Sequence, residues 1–333
     1  MSERLVTLED IRQAAGRIRP YAHVTPLLTI GEGGRTLGLK CENLQRSGAF
    51  KIRGAANMLL QLRPDERERG VITFSSGNHG IAMSLAASLA GCPAVIVMPT
   101  TAPAVKVETA RKFGAEIVFE GTTTIERKAR AEAEAAARGL TIVPPFDHPW
   151  IIAGQGTLGL EILEQAPDAA AVYVPTSGGG LLSGVATAIK SLAPGVRVIG
   201  VEPACTPRFT RSLAAGHPVT VPGAAGVADG LLAVRPGDIT FAHIQAYVDE
   251  IVTLEDEAII EGVAWLFDHA RLVAEPSGAA SVAAALARGT TTWSRDGAAA
   301  ARDVSGPAVA VISGGNVETS AFTGYITTAR SSS

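Results

Sequence analysis

The chain has 333 residues, a length that accommodates about two domains with a large core. Its net charge is -3, from 29 basic and 32 acidic residues without a basic stripe, which excludes nucleic-acid binding through counterion release. The composition, 47% hydrophobic and 18% charged, is that of a globular protein, and no apolar run is long enough to cross a membrane. We therefore expect neither a nucleic-acid nor a membrane partner.

The cysteines and the N-terminal residues indicate a reducing compartment. Cys41, Cys92 and Cys205 are odd in number and far apart, and they lack the spacing of a metal site. Residues 1–12 are charged and contain no apolar signal core. We expect a cytoplasmic protein.

Strands and helices alternate from Val71 onwards. Gly91 and Gly139 each follow a helical pattern, at the position where a left-handed residue ends a helix. This alternation predicts a mostly parallel sheet with helices on its faces. The predicted strands are 71–74, 94–98, 116–119 and 140–143, and the predicted helices are 80–89, 103 to about 114, and 122–138.

The same pattern resumes after Pro144-Pro145 and residues 154–159, which we interpret as a join between two halves. The later strands are predicted at 170–174, 196–201 and 309–312, and the later helices at 181–192, near 255–269 and at 277–287. Residues 288–303 and the last residues are predicted to be surface loop and tail. The fold class is therefore α/β, with two open, mostly parallel α/β domains and a ligand in the cleft between them.

A triple glycine at residues 178–180 follows one predicted strand and precedes a helix. Its amides and the helix N-terminus suit a phosphate group. The segment also approximates a dinucleotide fingerprint that lacks its third glycine, with Glu202 near the position of a ribose-binding acid. From this loop alone, an NAD site and another phosphate site remain open.

Lys51 differs from the other lysines of the chain. Phe50 and Ile52 flank it and Gly48 and Gly54 bracket it, whereas four of the others lie on predicted helices with polar faces. A desolvated lysine loses proton affinity and becomes a nucleophile for an aldehyde. The alternative is a lysine that extends from a helix start into solvent.

A polar turn over residues 75–80 follows another predicted strand. Backbone amides at such a strand-to-helix turn favour a carboxylate. Plain helix capping by serine and asparagine is the alternative interpretation.

The motifs occur in an order that resembles one group of enzymes, the pyridoxal-phosphate enzymes of fold type II (tryptophan synthase β-like), and within it the serine/threonine dehydratase and serine racemase family. The resemblance runs from about Leu8 to Thr323. It implies pyridoxal 5'-phosphate as cofactor, a large cofactor-binding domain (1–70 and 150–333), a small substrate-carboxylate domain (71–149) and a homodimer. The matching stretches are residues 41–54, 75–80, 153–157, 177–182, 228–230, 275–278 and 313–317.

The resemblance also implies residue roles. Lys51 and Ser76 are the expected catalytic residues: Lys51 binds the cofactor aldehyde and removes the substrate Cα proton, and Ser76 handles a proton on the opposite face in racemising relatives. The substrate carboxylate is expected to meet Ser75, Ser76 and His79. The expected cofactor contacts are Phe50 and Lys51, Asn78 at the ring hydroxyl, Ser313 at the pyridine nitrogen, and the backbone of Ser177, Gly178, Gly179, Gly180 and Leu181.

The implied activity is an ammonia-lyase reaction on a small-molecule 3-hydroxy amino acid. Water is eliminated from L-threonine, L-serine or a relative, giving a 2-oxo acid and ammonia. A hydroxyl at the pyridine nitrogen makes a weaker electron sink than a carboxylate and favours loss of the β-substituent. The alternatives are a serine racemase and a hydroxyaspartate or phenylserine dehydratase. More remote are a β-replacement synthase, in which His79 is usually threonine, an NAD-dependent oxidoreductase, and an amino-acid sensor, against which the intact Lys51 argues.

Two positions depart from the family pattern. Ile81 stands where many relatives have glutamine. Racemase-like members hold a divalent cation with acids matching positions 202 and 208 and with residue 206; here these are Glu202, Arg208 and Thr206. Because arginine is no metal ligand, we expect no metal residues in this chain. The apolar run 231–233 favours a threonine-like substrate over a dicarboxylate.

Overall fold

A computed structural model describes residues 4–32, 35–75, 77–102, 104–286, 291–297, 304 and 306–331. In these ranges the chain forms two sheets flanked by helices, which confirms the α/β class. Among the described helices, none has the length and apolar character needed to cross a bilayer.

The larger sheet has seven strands in the order β1-β2-β11-β7-β8-β9-β10. Its five central strands are parallel, and the edge strands β1 and β10 pair antiparallel with their neighbours. The last strand in sequence, β11, therefore lies in the middle of the sheet. The strands are β1 Leu27–Glu32, β2 Arg35–Cys41, β7 Ala171–Pro175, β8 Arg197–Pro203, β9 Glu250–Leu254, β10 Thr291–Ser294 and β11 Ala308–Ile312.

The smaller sheet has four parallel strands in the order β5-β4-β3-β6. They come from one continuous stretch of chain, which leaves the larger sheet after β2 and returns to it at β7. The buried strands Val71–Thr73 and Ala94–Met98 have an apolar residue at nearly every position, as expected for strands covered on both faces. The strands are β3 Val71–Thr73, β4 Ala94–Met98, β5 Glu116–Phe119 and β6 Thr141–Ile142.

Helices cover both sheets, and local sequence explains several of their ends. Thr7 and Thr123 begin helices through reciprocal capping boxes, and Gly91 and Gly139 end helices in the left-handed conformation, as predicted. The helices are α1 Leu8–Ile18, α2 Lys51–Leu59, α3 Pro64–Arg69, α4 Asn78–Ala90, α5 Ala104–Lys112, α6 Thr124–Arg138, α7 Pro149–Gln165, α8 Gly180–Leu192, α9 Arg208–Ala215, α10 Asp238–Tyr247, α11 Asp256–Trp265, α12 Pro276–Leu286 and α13 Thr319–Ser331.

The strands and helices predicted from residue 71 onwards are confirmed to within about two residues at most ends. The helix predicted to 269 instead ends its α-helical part at Trp265 and continues as a π-helical turn to Ala270.

The interpretation of residues 154–159 as a join is wrong, because they lie inside α7. The glycines there allow close packing of helices. A Cβ on Gly154 would lie 2.6 Å from the carbonyl oxygen of Arg53 in α2, and one on Gly184 of α8 would lie 2.4 Å from the Gly156 nitrogen. Helix α7 thus packs directly on the helix that begins with Lys51.

The prediction of a surface loop and tail near the end of the sequence is also wrong in part. Thr291–Ser294 form the edge strand β10, although residues 287–290, 298–303 and 305 lie outside the described part. Residues Thr319–Ser331 form α13, which buries Phe322, Ile326 and Ala329 against the neighbouring helices.

Candidate active site

One cavity of about 380 Å³ lies at the carboxyl ends of β3, β7 and β11. This is where open parallel sheets place their ligands. Ser76 lies outside the described residues. All the other predicted site residues line the cavity: Phe50, Lys51, Ser75, Asn78, His79, Ser177, Gly178, Gly179, Gly180, Leu181 and Ser313.

Lys51 is the first residue of α2, and its side chain lies in the cavity wall. Its Nζ donates a hydrogen bond to the carbonyl oxygen of Pro145 at 2.9 Å and lies 5.0 Å from the centre of the Phe50 ring. Burial lowers the pKa of Lys51 from 10.5 to about 8. At pH 7 about a tenth of the amine is therefore uncharged and nucleophilic, which is far more than for a lysine with the ordinary pKa of 10.5.

The backbone before Lys51 is joined to the loop after β11. The Phe50 amide donates to the carbonyl oxygen of Ser313 at 3.0 Å, and Ala49 forms an isolated antiparallel bridge with Gly314. These contacts bring Ser313 to the cavity beside Lys51. The buried Ser313 hydroxyl is 3.3 Å from the carbonyl oxygen of Ser277, to which it donates.

The triple glycine forms a close-fitting turn between β7 and α8. Gly179 has φ +102°, and a Cβ at Gly178 would lie 2.4 Å from the Phe146 ring. Thr240 Oγ1 donates to the carbonyl oxygen of Gly178 at 2.6 Å. Since α8 begins at Gly180, the turn and the helix N-terminus together form a cradle suited to an anion.

The polar turn after β3 carries a buried histidine. His79 Nε2 lies 3.2 Å from the carbonyl oxygen of Val143, so we assign its proton to Nε2. Its Nδ1 has no hydrogen-bond partner among the described residues. Burial, and secondarily the Lys51 charge, lower the pKa of His79 to about 3, so the ring is neutral at physiological pH. It offers the cavity an acceptor nitrogen.

Asn78, the first residue of α4, joins the turn to the opposite wall. Its Nδ2 donates to Glu275 Oε1, and its Oδ1 accepts from Asn316 Nδ2 at 2.8 Å. Sequence reasoning noted the stretch containing Glu275 but assigned it no role. Burial, and then the nearby Asp229 carboxylate, raise the pKa of Glu275 to about 8, so this carboxyl group is mostly protonated at pH 7.

Glu275→Gln tests this protonation. Between about pH 4.5 and 8 the folded protein holds the proton and the unfolded chain releases it, so raising the pH destabilises the wild type, whereas glutamine does not titrate. We expect the free energy of unfolding of the wild type to fall relative to the variant by up to about 1.4 kcal/mol per pH unit in this window, and to level off above pH 8. Denaturant titrations from pH 5 to 9 measure this difference. If the free energy of unfolding changed with pH in the same way for both proteins, Glu275 would not be protonated as we infer.

Sequence reasoning did not assign two further charged residues of the cavity wall. Lys106 Nζ of α5 lies 3.2 Å from Asp229 Oδ2, which joins the two sides of the cavity. Asp229 lies in the matching stretch 228–230 but was assigned no role, and Lys106 belongs to no matching stretch, so only the fold brings the two together. The predicted apolar run, Leu231, Leu232 and Ala233, also lines the cavity.

Glu202 is buried away from this cavity wall. Its carboxylate accepts from the backbone amides of Phe209 and Thr210, both at 2.9 Å, and so caps α9. A carboxylate used in this way is not presented to a ribose, which removes the feature that favoured an NAD site.

Comparison with known proteins identifies the family of the chain. The family described as pyridoxal-phosphate dependent enzymes matches residues 18–299. The chain belongs to this family.

Its relatives include both lyases and racemases. It is 43% identical to an L-threonine ammonia-lyase of Thermotoga maritima over 320 residues, which cover 94% of this chain and 76% of the relative. It is 39% identical to a serine racemase of Oryza sativa subsp. indica, with 93% of this chain and 91% of the relative covered. The solved structure of maize serine racemase matches with a TM-score of 0.89 and 35% identity, over 99% of each chain.

The cavity fits pyridoxal phosphate, the cofactor of the family. The glycine cradle suits its phosphate, and the amine of Lys51 suits its aldehyde. The buried Thr176 Oγ1 in the cavity wall and His79 Nδ1 have no hydrogen-bond partner among the described residues, as expected for groups that meet a polar ligand.

Proposed function

We propose that the protein is an ammonia-lyase that eliminates water from L-threonine, L-serine or a related 3-hydroxy amino acid to give a 2-oxo acid and ammonia. The observation that carries the proposal is the amine of Lys51, with its lowered pKa, in one cavity with the glycine cradle and the hydroxyl of Ser313. The similarity to the L-threonine ammonia-lyase supports it.

Lys51 is the proposed attachment point of the cofactor and the base of the reaction. When bound, pyridoxal phosphate supplies an electron sink that acidifies the substrate Cα–H bond. An amine with a pKa of about 8 is well matched to accept that proton near neutral pH. The Pro145 carbonyl accepts a hydrogen bond from Nζ and directs it along the cavity wall.

The remaining residues of the cavity position the cofactor and bind the substrate. We assign the backbone of Ser177 to Leu181 to the cofactor phosphate, and the 75–79 turn to the substrate carboxylate. Neutral His79 contributes no positive charge, and its acceptor Nδ1 cannot bond to a carboxylate, so we assign the hydrogen bonds to the carboxylate to the hydroxyls and backbone amides of the turn. Asn78 is held by its two partners next to the assigned position of the ring hydroxyl.

The apolar wall made by Leu231, Leu232 and Ala233 favours a methyl group at the substrate β-carbon. We therefore rank threonine above hydroxyaspartate as substrate. The Lys106–Asp229 ion pair neutralises one cationic side chain of the cavity wall, although Arg127 of the same wall has no carboxylate partner among the described ion pairs.

Serine racemisation is the second candidate, because the racemases from rice and maize match almost the whole chain. We assign the proton on the opposite face to Ser76.

A panel of 3-hydroxy amino acids separates the candidates. We expect 2-oxo acid and ammonia from L-threonine and L-serine, with higher kcat/KM for threonine and little turnover of hydroxyaspartate. Chiral chromatography of residual serine measures racemisation in the same reactions. Accumulation of D-serine without 2-oxo acid would favour the racemase and overturn the lyase.

The domain boundaries, the homodimer and the cytoplasmic location belong to this proposal. The continuous origin of the four-stranded sheet, residues 71–142, agrees with a small domain of residues 71–149 inserted into a large one. Light scattering on the eluting protein measures its mass, and a monomeric mass would exclude the dimer.

The proposed role of Lys51 predicts an unusual reactivity of the apo-protein. Competitive acetylation with trace acetic anhydride modifies only uncharged amines. Because burial lowers the pKa of Lys51, we expect its labelling to be half-maximal near pH 8 rather than near 10.5. Mass spectrometry of the peptides follows each lysine, with exposed Lys112 as the internal comparison. Labelling of Lys51 that rises only above pH 10 would contradict the proposal.

A further inference from the structure

Arg208, the first residue of α9, is fully buried outside the cavity wall. Its guanidinium donates to four oxygen atoms. Nε donates to the Ser177 carbonyl at 2.7 Å and Nη2 to the Thr176 carbonyl at 2.5 Å. Nη1 donates to the carbonyl and the hydroxyl of Thr206, at 2.6 and 2.9 Å.

Two of these oxygens belong to the segment that enters the glycine cradle. In a planar trans peptide, the carbonyl and the following N–H point in opposite directions, and the structure has no cis peptide bond among its described residues. Because the Thr176 and Ser177 carbonyls point to Arg208, the amides of Ser177 and Gly178 point away from it. The Gly178 carbonyl is held by Thr240 Oγ1, which directs the Gly179 amide similarly. Arg208 and Thr240 together orient three consecutive amides.

The oxygen atoms of Thr206 and Glu202 decide whether a divalent cation could bind here. Racemase-like members of the resembled family hold such a cation at the positions that match Glu202, Thr206 and Arg208, and from the sequence we expected no metal residues in this chain. Here both oxygens of Thr206 bond to the guanidinium, and the Glu202 carboxylate bonds to the amides of α9. Among the described residues, no cluster of three His, Cys, Asp or Glu side chains suits a metal. The residues present do not fit the cation, because a guanidinium group already bonds to the Thr206 oxygens.

We propose that Arg208 is a positioning residue that acts as a built-in cation: it fixes the phosphate-binding loop, so that the protein takes up pyridoxal phosphate without a divalent metal. The inference rests on the proposed phosphate role of residues 177–181.

Titration of the apo-protein with pyridoxal phosphate, followed by protein fluorescence, tests the proposal. We expect the Kd of the wild type to be the same in EDTA and in millimolar Mg²⁺, Ca²⁺ or Mn²⁺. In Arg208→Met, which keeps the length and loses the charge, we expect the Kd to rise about 10- to 100-fold. Arg208→Lys should retain part of the affinity. Arg211→Met, an exposed position of the same helix, is the matched control and should bind like the wild type.

Arg208→Asp provides a readout that a merely structural role would not change. It replaces the guanidinium by a carboxylate among carbonyl and hydroxyl oxygens, the ligands that hard divalent cations prefer. We expect weak cofactor binding in EDTA and recovery with Mn²⁺ or Ca²⁺, whereas Arg208→Met should not recover with either ion. Recovery of both variants, or of neither, would overturn the proposal.

Other outcomes are equally decisive. Loss of wild-type affinity in EDTA, restored by Mg²⁺, would overturn the proposal without any variant, even where Arg208→Met fails to fold. Wild-type affinity in folded Arg208→Met would also overturn it. If Gly179→Ala, a change inside the loop, also bound the cofactor normally, the phosphate role of the loop itself would be wrong.

Discussion

Replacement of Lys51 by alanine should lower kcat/KM for elimination by at least about 10³-fold, because the substitution removes the proposed attachment point and base together. Borohydride reduction of the wild type should fix the cofactor on the peptide that contains residue 51, and mass spectrometry should find no such peptide in the variant.

Lys112→Ala is the matched control, since this lysine lies on the exposed side of α5. It should retain wild-type turnover and labelling. Both variants should show wild-type circular dichroism, which checks that they are folded. A Lys51→Ala enzyme that is folded and still produces 2-oxo acid at a wild-type rate would refute the role of the residue.

Gly179→Ala should weaken cofactor binding about 10- to 100-fold. The residue has φ +102°, and an added Cβ would lie 2.8 Å from both Phe209 Cζ and Thr240 Cβ. Backbone strain of about 1–3 kcal/mol and the collision with Thr240 would be relieved by a shift of the loop, and such a shift moves its amides. Fluorescence titration of the apo-protein measures the Kd.

Gly216→Ala separates the effect of backbone strain from the effect of moving the amides of the glycine loop. This glycine also has a positive φ, +76°, but a Cβ there would meet no atom within 4 Å. We expect a comparable loss of stability with unchanged cofactor affinity. Equal affinities in the Gly179 and Gly216 variants would show that the cradle does not hold the phosphate.

The strands and helices predicted after residue 71 could be located because each apolar run is short and ends at a glycine, a proline or a polar turn. The elements α7, α9, α10, α13, β9 and β10 were not predicted. The same local logic failed at residues 154–159, where glycines normally indicate a loop. Their role is close packing of α7 on α2 and α8, and only the partner helices reveal it.

The candidate site was predictable in its motifs but not in its protonation. Lys51 and the glycine loop stand out locally, and the structure brings them to one cavity. The raised pKa of Glu275 depends on burial and on Asp229, which lies 46 positions earlier in the sequence. Glu202 had the spacing of a ribose ligand but caps a helix, because spacing alone does not show which amides a carboxylate meets.

The central position of β11 has a consequence for biosynthesis. The strand pairs with β2 on one side and β7 on the other, yet it is the last strand of the sheet to leave the ribosome. Until then the nascent chain exposes the edges of both neighbours, which are templates for wrong pairing. Completion of the seven-stranded sheet therefore waits for the last of its strands, and chaperones that shield strand edges are expected to raise the yield of folded protein.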